Sequence, residues 1–153
     1  MEKANELENR IRDFCRQKEL FAPGDRVLLG LSGGADSVCL FLVLQALAKE
    51  WELTLFPVHV NHNLRGEEAE ADQRFCEELC RRYDVELQVV SVPVAELAKV
   101  QGWTVEEAGR NARYQAFSQL AETLQCNKTA VAHHTEYSLP FLRGVSAQNG
   151  DAL

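Results

Sequence analysis

A short apolar run, Val27-Leu28-Leu29-Gly30-Leu31, breaks at Ser32-Gly33-Gly34-Ala35-Asp36-Ser37 and gives way to a second apolar stretch from Ser37 to Trp51. The first run has the length of a buried strand, the second the length and pattern of a helix, and glycines punctuate the join. Backbone N–H groups in a Gly-Gly turn can point into one concavity, because glycine tolerates the required angles. The helix behind adds the positive end of its dipole. The combination predicts an anion site that suits a phosphate chain. A nucleoside-triphosphate loop of the G-x-x-x-x-G-K-[ST] kind carries a lysine for the terminal phosphates, whereas this loop has no basic residue and presents Asp36 instead. A carboxylate beside phosphates implies a divalent cation, and Mg²⁺ needs only one or two protein carboxylates when the nucleotide supplies the other oxygens.

Around this unit the pattern alternates. Leu7, Ile11, Phe14 and Cys15 fall at helical spacing, predicting a lead-in helix over 5–20 that ends at Pro23-Gly24-Asp25. The first strand is expected at 26–31, followed by a helix whose segment 38–48 is apolar almost all round. A second strand at 53–60 carries Pro57, which predicts an interrupted or bulged end. A helix over 67–83 has Phe75, Cys76, Leu79 and Cys80 on one face, and a third strand follows at 85–92. Thr104-Val105-Glu106-Glu107 reads as a capping box opening a helix to residue 124, and a fourth strand at 129–132 runs into His133-His134. Strands alternating with helices predict an α/β fold: an open parallel sheet of order 3-2-1-4 with helices on both faces. The domain boundary is placed at 134, with 135–153 as an irregular shortened tail, since no period continues past Thr135-Glu136-Tyr137-Ser138-Leu139-Pro140.

Composition narrows the function. At 153 residues and 46 % hydrophobic content the chain can bury one ordinary core. Lys and Arg total 16 against 23 Asp and Glu, a net of −7, so a nucleic-acid substrate would need a basic surface from another domain. The five cysteines are scattered, with Cys76 and Cys80 the closest pair in a helical pattern, and read as reduced core thiols. A charged start without an apolar run behind it, and no long uncharged apolar stretch, predict a cytoplasmic protein with no membrane association.

In an open parallel sheet the ligand sits beyond the carboxyl ends of the strands, where strand order reverses. That crevice would bring the glycine loop against His133-His134, with Val58-His59-Val60-Asn61-His62-Asn63-Leu64-Arg65-Gly66 as a third wall. Duller readings stand beside each piece. His59 and His62 are zinc ligands only if further ligands converge, and otherwise a polar rim. His133-His134 either terminates the sheet or contacts phosphate or base. Arg110 and Arg113 bind phosphate or lie on a solvated face with Glu106 and Glu107. Glu67, Glu68, Glu70 and Asp72 read as a solubilising helix face.

Four blocks in order, S-G-G-A-D-S, V-H-V-N-H-N-L-R-G, T-V-E-E-A-G-R-N-A-R-Y and A-V-A-H-H, resemble the N-terminal domain of the tRNA(Ile)-lysidine synthetases over about residues 24 to 134. The glycine motif alone points to the wider group of PP-loop ATP pyrophosphatases. The resemblance implies an adenine nucleotide alpha hydrolase-like fold, ATP and Mg²⁺ as cofactors, and tRNA(Ile) and lysine as substrates. The reaction it implies is adenylation of the wobble cytidine followed by attachment of lysine. By carry-over, Ser32, Gly33, Gly34, Ala35 and Ser37 hold phosphates and Asp36 serves the metal. Val58, His59, Val60 and Asn61 border the adenine, His133 joins the nucleotide site, and Arg113 faces the substrate phosphates. After His134 the family continues with an acidic D-D-Q-A-E-T-type segment, where this chain reads Thr135-Glu136-Tyr137-Ser138. Phe141-Leu142-Arg143-Gly144 resembles a later family stretch, so an internal loss after Glu136 and missing C-terminal tRNA-binding domains are expected. Three alternatives remain open: a non-catalytic ATP-binding remnant, another PP-loop ATP pyrophosphatase such as a tRNA thiolase, and a homodimer in place of a monomer.

Overall fold

The computed structural model describes residues 2–62, 66–131 and 146–147. Among the described residues ten elements follow in chain order. These are α1 (Glu2–Gln17), β1 (Arg26–Gly30), α2 (Ala35–Ala48), β2 (Thr54–Asn61), α3 (Gly66–Arg82) and β3 (Gln88–Ser91), then α4 (Val94–Gln101), α5 (Val105–Thr123), β4 (Lys128–Ala130) and β5 (Ser146–Ala147). The sheet order is β3-β2-β1-β4-β5, and its first four strands are parallel in the expected 3-2-1-4 order. β5 adds a two-residue antiparallel rung, Ser146 opposite Thr129 and Ala147 opposite Lys128, within the stretch expected as an irregular tail. His133 and the rest of that tail lie outside the described residues.

The alternation of side chains along each strand divides the core. Val27, Leu29 and Leu31 point toward α1, α2 and α3, where they join Ile11, Phe41, Leu44 and Cys76. Leu28 and Val58 point the other way and pack with Phe117, Ala121 and Cys126. Right-handed crossovers account for this division. The chain moves outward from β1 to β3 over one face, and the return to β4 must cover the opposite face. α2 carries almost no amphipathic pattern because both the sheet and neighbouring helices cover it. Leu40, Phe41, Leu44 and Leu47 are at most 1 % exposed, each contributing about 1.5–3 kcal/mol of transfer free energy.

Two local features depart from the reading of the sequence. Pro57 does not interrupt β2, which is continuous and places Pro57 beside Leu29. The Val58 carbonyl accepts from Leu31 N at 2.8 Å, so Val58 faces β1 and the Pro57 nitrogen faces the β3 side. Pairing with β3 begins only at Val58, so the missing donor costs no ladder bond. The second departure is α4, which the periodicity did not single out. It is two turns long, follows Pro93, and ends at Gly102 in the left-handed conformation. Its buried residues are Val94 and Ala98 at i, i+4, with Leu97 packed beside them.

At the amino edge of the sheet, Asn127 joins distant segments. Its amide donates to Asp25 Oδ1 at 2.8 Å while its carbonyl oxygen accepts from Arg26 N at 2.8 Å. Asp25, 6 % exposed, also accepts from Ala22 N at 2.8 Å, so both oxygens of this buried carboxylate have partners. Among the described residues no helix is long and apolar enough to cross a membrane.

Candidate functional site

The glycine loop forms at the carboxyl end of β1 because the chain must turn from a buried strand into a buried helix. Gly33 takes φ +94°, a conformation that side chains with a Cβ disfavour. Gly34 is the N-cap of α2 with ordinary extended angles. Ser37, 4 % exposed, braces the turn: its hydroxyl donates to the Gly34 carbonyl at 3.1 Å and accepts from Ser32 N at 3.1 Å. With the Ser37 proton committed, the Ser32 hydroxyl donates across the 3.0 Å contact to Ser37 Oγ and accepts from Gly34 N at 3.2 Å. Both serines are therefore used to hold the loop. The first helical bond runs from Val38 N to the Gly34 carbonyl at 3.0 Å. The Ala35 and Ser37 amides precede it and have no intrahelical acceptor. This helix start, with no lysine in the loop and the half-buried Asp36 at its rim, suits a phosphate whose charge is shared with a hard cation.

α3 supplies a neighbour that the sequence reading assigned to solvent. A Cβ on Gly33 would lie 3.5 Å from Asp72 Cβ and 3.6 Å from its Oδ1, so this carboxylate stands against the loop. Asp72 is exposed and yet adjacent to the anion site. The signal was present in the spacing. Cys76, one turn later on α3, is fully buried and its Sγ donates to the Leu31 carbonyl at 3.6 Å, which orients that helix face toward the loop. His59 lies there too, 4 % exposed, with Nδ1 2.9 Å from the same carbonyl. A carbonyl only accepts, which assigns the proton to Nδ1. Burial pushes the Cys76 thiol up to about 12, helped by Cys80, Asp72 and Glu77, so it stays protonated. Among the described residues no three His, Cys, Asp or Glu side chains converge as a metal cluster.

The end of β2 divides between the two faces. Asn61, 8 % exposed, donates from Nδ2 to Gln73 Oε1 at 3.1 Å, linking it to the residue after Asp72. Val58 is fully buried on the other face beside Phe117, and half-buried Val60 packs against the same cluster. His62 turns toward α5. Its Cε1 and Nδ1 atoms lie 3.2 Å from where a Gly109 Cβ would stand, so a side chain there would press on the ring. Arg110 is exposed while Arg113 is partly buried, which separates two arginines that spacing left equivalent. The Arg113 Nε is buried with no hydrogen-bond partner among the described residues, a state that costs about 1–3 kcal/mol for an ordinary polar group. Its guanidinium carbon lies 5.9 Å from the Tyr114 ring centre.

Burial lowers the His62 pKa from its ordinary 6.5, and the charges of Arg113 and His59 lower it further. The native ring therefore takes up a proton less readily than the unfolded one. This contribution to stability is complete above about 6.5 and is lost as pH falls toward the lowered value. Urea midpoints measured at pH 7.5 and 5.5 are expected to drop more for the wild type than for His62→Gln; equal drops would contradict the assignment.

Cavities occur at the other end of the sheet. One of about 310 Å³ is lined by Cys15, Phe21, Pro23 and Trp51 among others, and another includes Leu53, Phe56 and Leu124. Neither includes the glycine loop. The chemistry of the carboxyl edge marks it as the candidate site; residues 63–65 and 132–145 lie outside the described residues.

Comparison with known proteins agrees with this geometry. The chain matches the PP-loop domain family over residues 3–139. It is 38 % identical over 112 residues to the tRNA(Ile)-lysidine synthase of Clostridium tetani, covering 73 % of this chain and 24 % of that protein. It is 42 % identical over 131 residues to the enzyme of the same name from Porphyromonas gingivalis, covering 85 % and 28 %. The chain thus spans about a quarter of the length of these curated relatives. Among solved structures, the U34-tRNA thiolase NcsA from Methanococcus maripaludis superposes with a TM-score of 0.72 at 19 % identity, over 88 % of this chain and 47 % of that one. The NH3-dependent NAD synthetase of Campylobacter jejuni gives 0.62 at 16 %, over 87 % and 57 %. These two show a shared fold. A family match across nearly the whole described sheet, on a chain whose first turn is a lysine-free glycine loop at a helix start, has one consequence: this chain belongs to the PP-loop family.

Proposed function

We propose that the chain binds ATP–Mg²⁺ at the loop after β1 and serves as the adenylating part of a tRNA(Ile)-lysidine synthetase. The observation that carries this reading is the pre-braced loop: Gly33 at positive φ, serines committed to holding the turn, and the start of α2 directed at the anion. The identity to curated lysidine synthases supports the choice among PP-loop activities. In the proposed reaction the cytidine carbonyl oxygen attacks the α-phosphorus and pyrophosphate leaves. The lysine side-chain amine then attacks the activated ring carbon, the C–O bond breaks so that AMP leaves with that oxygen, and the nitrogen gives up a proton to solvent.

The protein's part is placement and charge stabilisation. Amides at the start of α2 hold the departing phosphates, Asp36 orients the cation, and Arg113 faces the substrate phosphates. Mg²⁺, when bound, neutralises charge on the phosphate oxygens. The backbone around Val58 to Asn61 borders the adenine. tRNA is held by basic surface outside this acidic chain, which carries a net of −7.

Titration calorimetry is expected to show magnesium-dependent uptake of ATP by the wild type and roughly 100-fold weaker uptake by Asp36→Ala. Pyrophosphate release that requires tRNA(Ile) and continues past one equivalent per chain only when lysine is present identifies the lysidine reaction. Repeated turnover indifferent to lysine assigns another PP-loop activity, and an absence of ATP uptake by folded protein ends the reading.

A further inference from the structure

A carboxylate held against an anion site calls for an explanation, and Asp72 is one. Its Cβ lies 3.5 Å, and its Cγ and Oδ1 3.6 Å, from where a Gly33 Cβ would stand, so the side chain sits directly beside the bare glycine of the turn. Two contacts fix that part of α3. Cys76, one turn later, donates from Sγ to the Leu31 carbonyl at 3.6 Å, and Gln73 accepts from Asn61 Nδ2 at 3.1 Å. Both tie the helix to strand ends that flank the loop. The ion pairs among the described residues join Arg12 to Glu50 and Arg81 and Arg82 to Glu78, and none reaches Asp72. Ser32 to Ser37 include no basic side chain either. A polyphosphate seated on the α2 amides therefore meets a fixed negative charge with no protein cation to offset it.

The charge acts in opposite senses on two forms of one ligand. The amides attract any phosphate, while the carboxylate repels a bare polyphosphate, which carries several negative charges. A divalent cation on the phosphates cancels two of those charges and is itself attracted to the carboxylate. A loop with a lysine would take up either form.

We propose that Asp72 is a specificity-determining residue that makes the loop reject metal-free polyphosphate, so that uptake requires the divalent-cation complex. Asp36 serves to orient the cation, whereas Asp72 acts through its charge and needs no bond to the metal. The inference rests on the loop's being the anion site of the proposed function, and it holds whatever chemistry follows binding.

Calorimetry with two probes, ATP and inorganic pyrophosphate, each in EDTA and in excess MgCl₂, tests it. Asp72→Asn is expected to take up both metal-free probes roughly tenfold more tightly than the wild type, and to change the affinity for ATP–Mg²⁺ by no more than about threefold. Asp72→Ala should match Asp72→Asn, since both remove the charge, and Asp72→Glu should keep the rejection. Raising NaCl from about 0.05 M to about 0.5 M should shrink the metal-free gain toward unity, a response that mere relaxation of the turn would not give. Metal-free uptake that is unchanged or weaker in Asp72→Asn, an equal gain with and without Mg²⁺, or a gain indifferent to salt overturns the inference. The proposed function fails separately: a wild type that takes up pyrophosphate with Mg²⁺ but no ATP ends that reading, and the role of Asp72 is then decided by the pyrophosphate arm. No uptake of either probe by any form overturns both.

Discussion

Replacing Gly33 with valine is expected to weaken uptake of ATP–Mg²⁺ by more than about 100-fold while the far-ultraviolet circular dichroism stays that of the wild type. At φ +94° a β-branched residue is a severe outlier, and holding it there costs on the order of 1–3 kcal/mol. The new Cβ would also sit 3.5 Å from Asp72, with its methyl groups crowding that side chain. The cheapest relief is to reshape the turn, which moves the amides away from the phosphates. Gly34→Ala is the control. Gly34 has φ −76° and would meet only Ser32 Oγ at 3.4 Å, so its substitution should change affinity by no more than about threefold. Equal losses from the two substitutions would show that the positive angle at Gly33 is not what builds the anion site.

Truncating Phe41 to alanine carries the largest expected stability loss, about 3–5 kcal/mol, against the roughly 5–15 kcal/mol that holds a domain of this kind folded. Phe41 is fully buried between the sheet and α3, and its ring meets Tyr83 edge to face at 5.7 Å and 82°. Its cluster partners on β1 and α2 are apolar, so the lost contacts are not replaced. Urea unfolding followed by tryptophan fluorescence gives the loss directly. Phe41→Leu, expected to lose about a third as much, keeps the comparison measurable if the alanine variant does not fold. A loss below about 1 kcal/mol for alanine would place α2 at the surface.

The elements most legible in the sequence are those whose signal is local. The strand over Val27–Leu31, the apolar helix behind Ser37 and the capped helix at Thr104 each declare themselves within a few residues; Thr104 Oγ1 accepts from Glu107 N at 3.1 Å as the motif implies. α4 escaped because two turns offer too few positions for a helical period, although Pro93 and Gly102 bracketed it. Pro57 misled because a proline's cost depends on which neighbour its nitrogen faces, and that is a property of the sheet.

The candidate site divides the same way. The loop from Ser32 to Ser37 was readable, since one strand, one turn and one helix start make it. Asp72 was assigned to solvent because its own helix says only that it lies beside a buried face. Arg110 and Arg113 looked alike until α5 docked and left one exposed and the other partly buried with its Nε covered. His62 itself looked like a polar rim until Gly109 gave its ring a seat.

The amino-acid sequence determined, by itself, the alternation of strand and helix, the parallel sheet with its reversal beside β1, and an anion site at the first turn, because hydrophobic period and glycine conformation act between near neighbours. Only the tertiary structure decided that Asp72 stands against Gly33, that Asn127 ties β4 to Asp25, and that the His62 ring lies against Gly109. Those contacts join segments far apart along the chain, and the facing of each helix is set by how its buried side chains interlock with the sheet, a collective packing outcome that no short stretch of sequence contains.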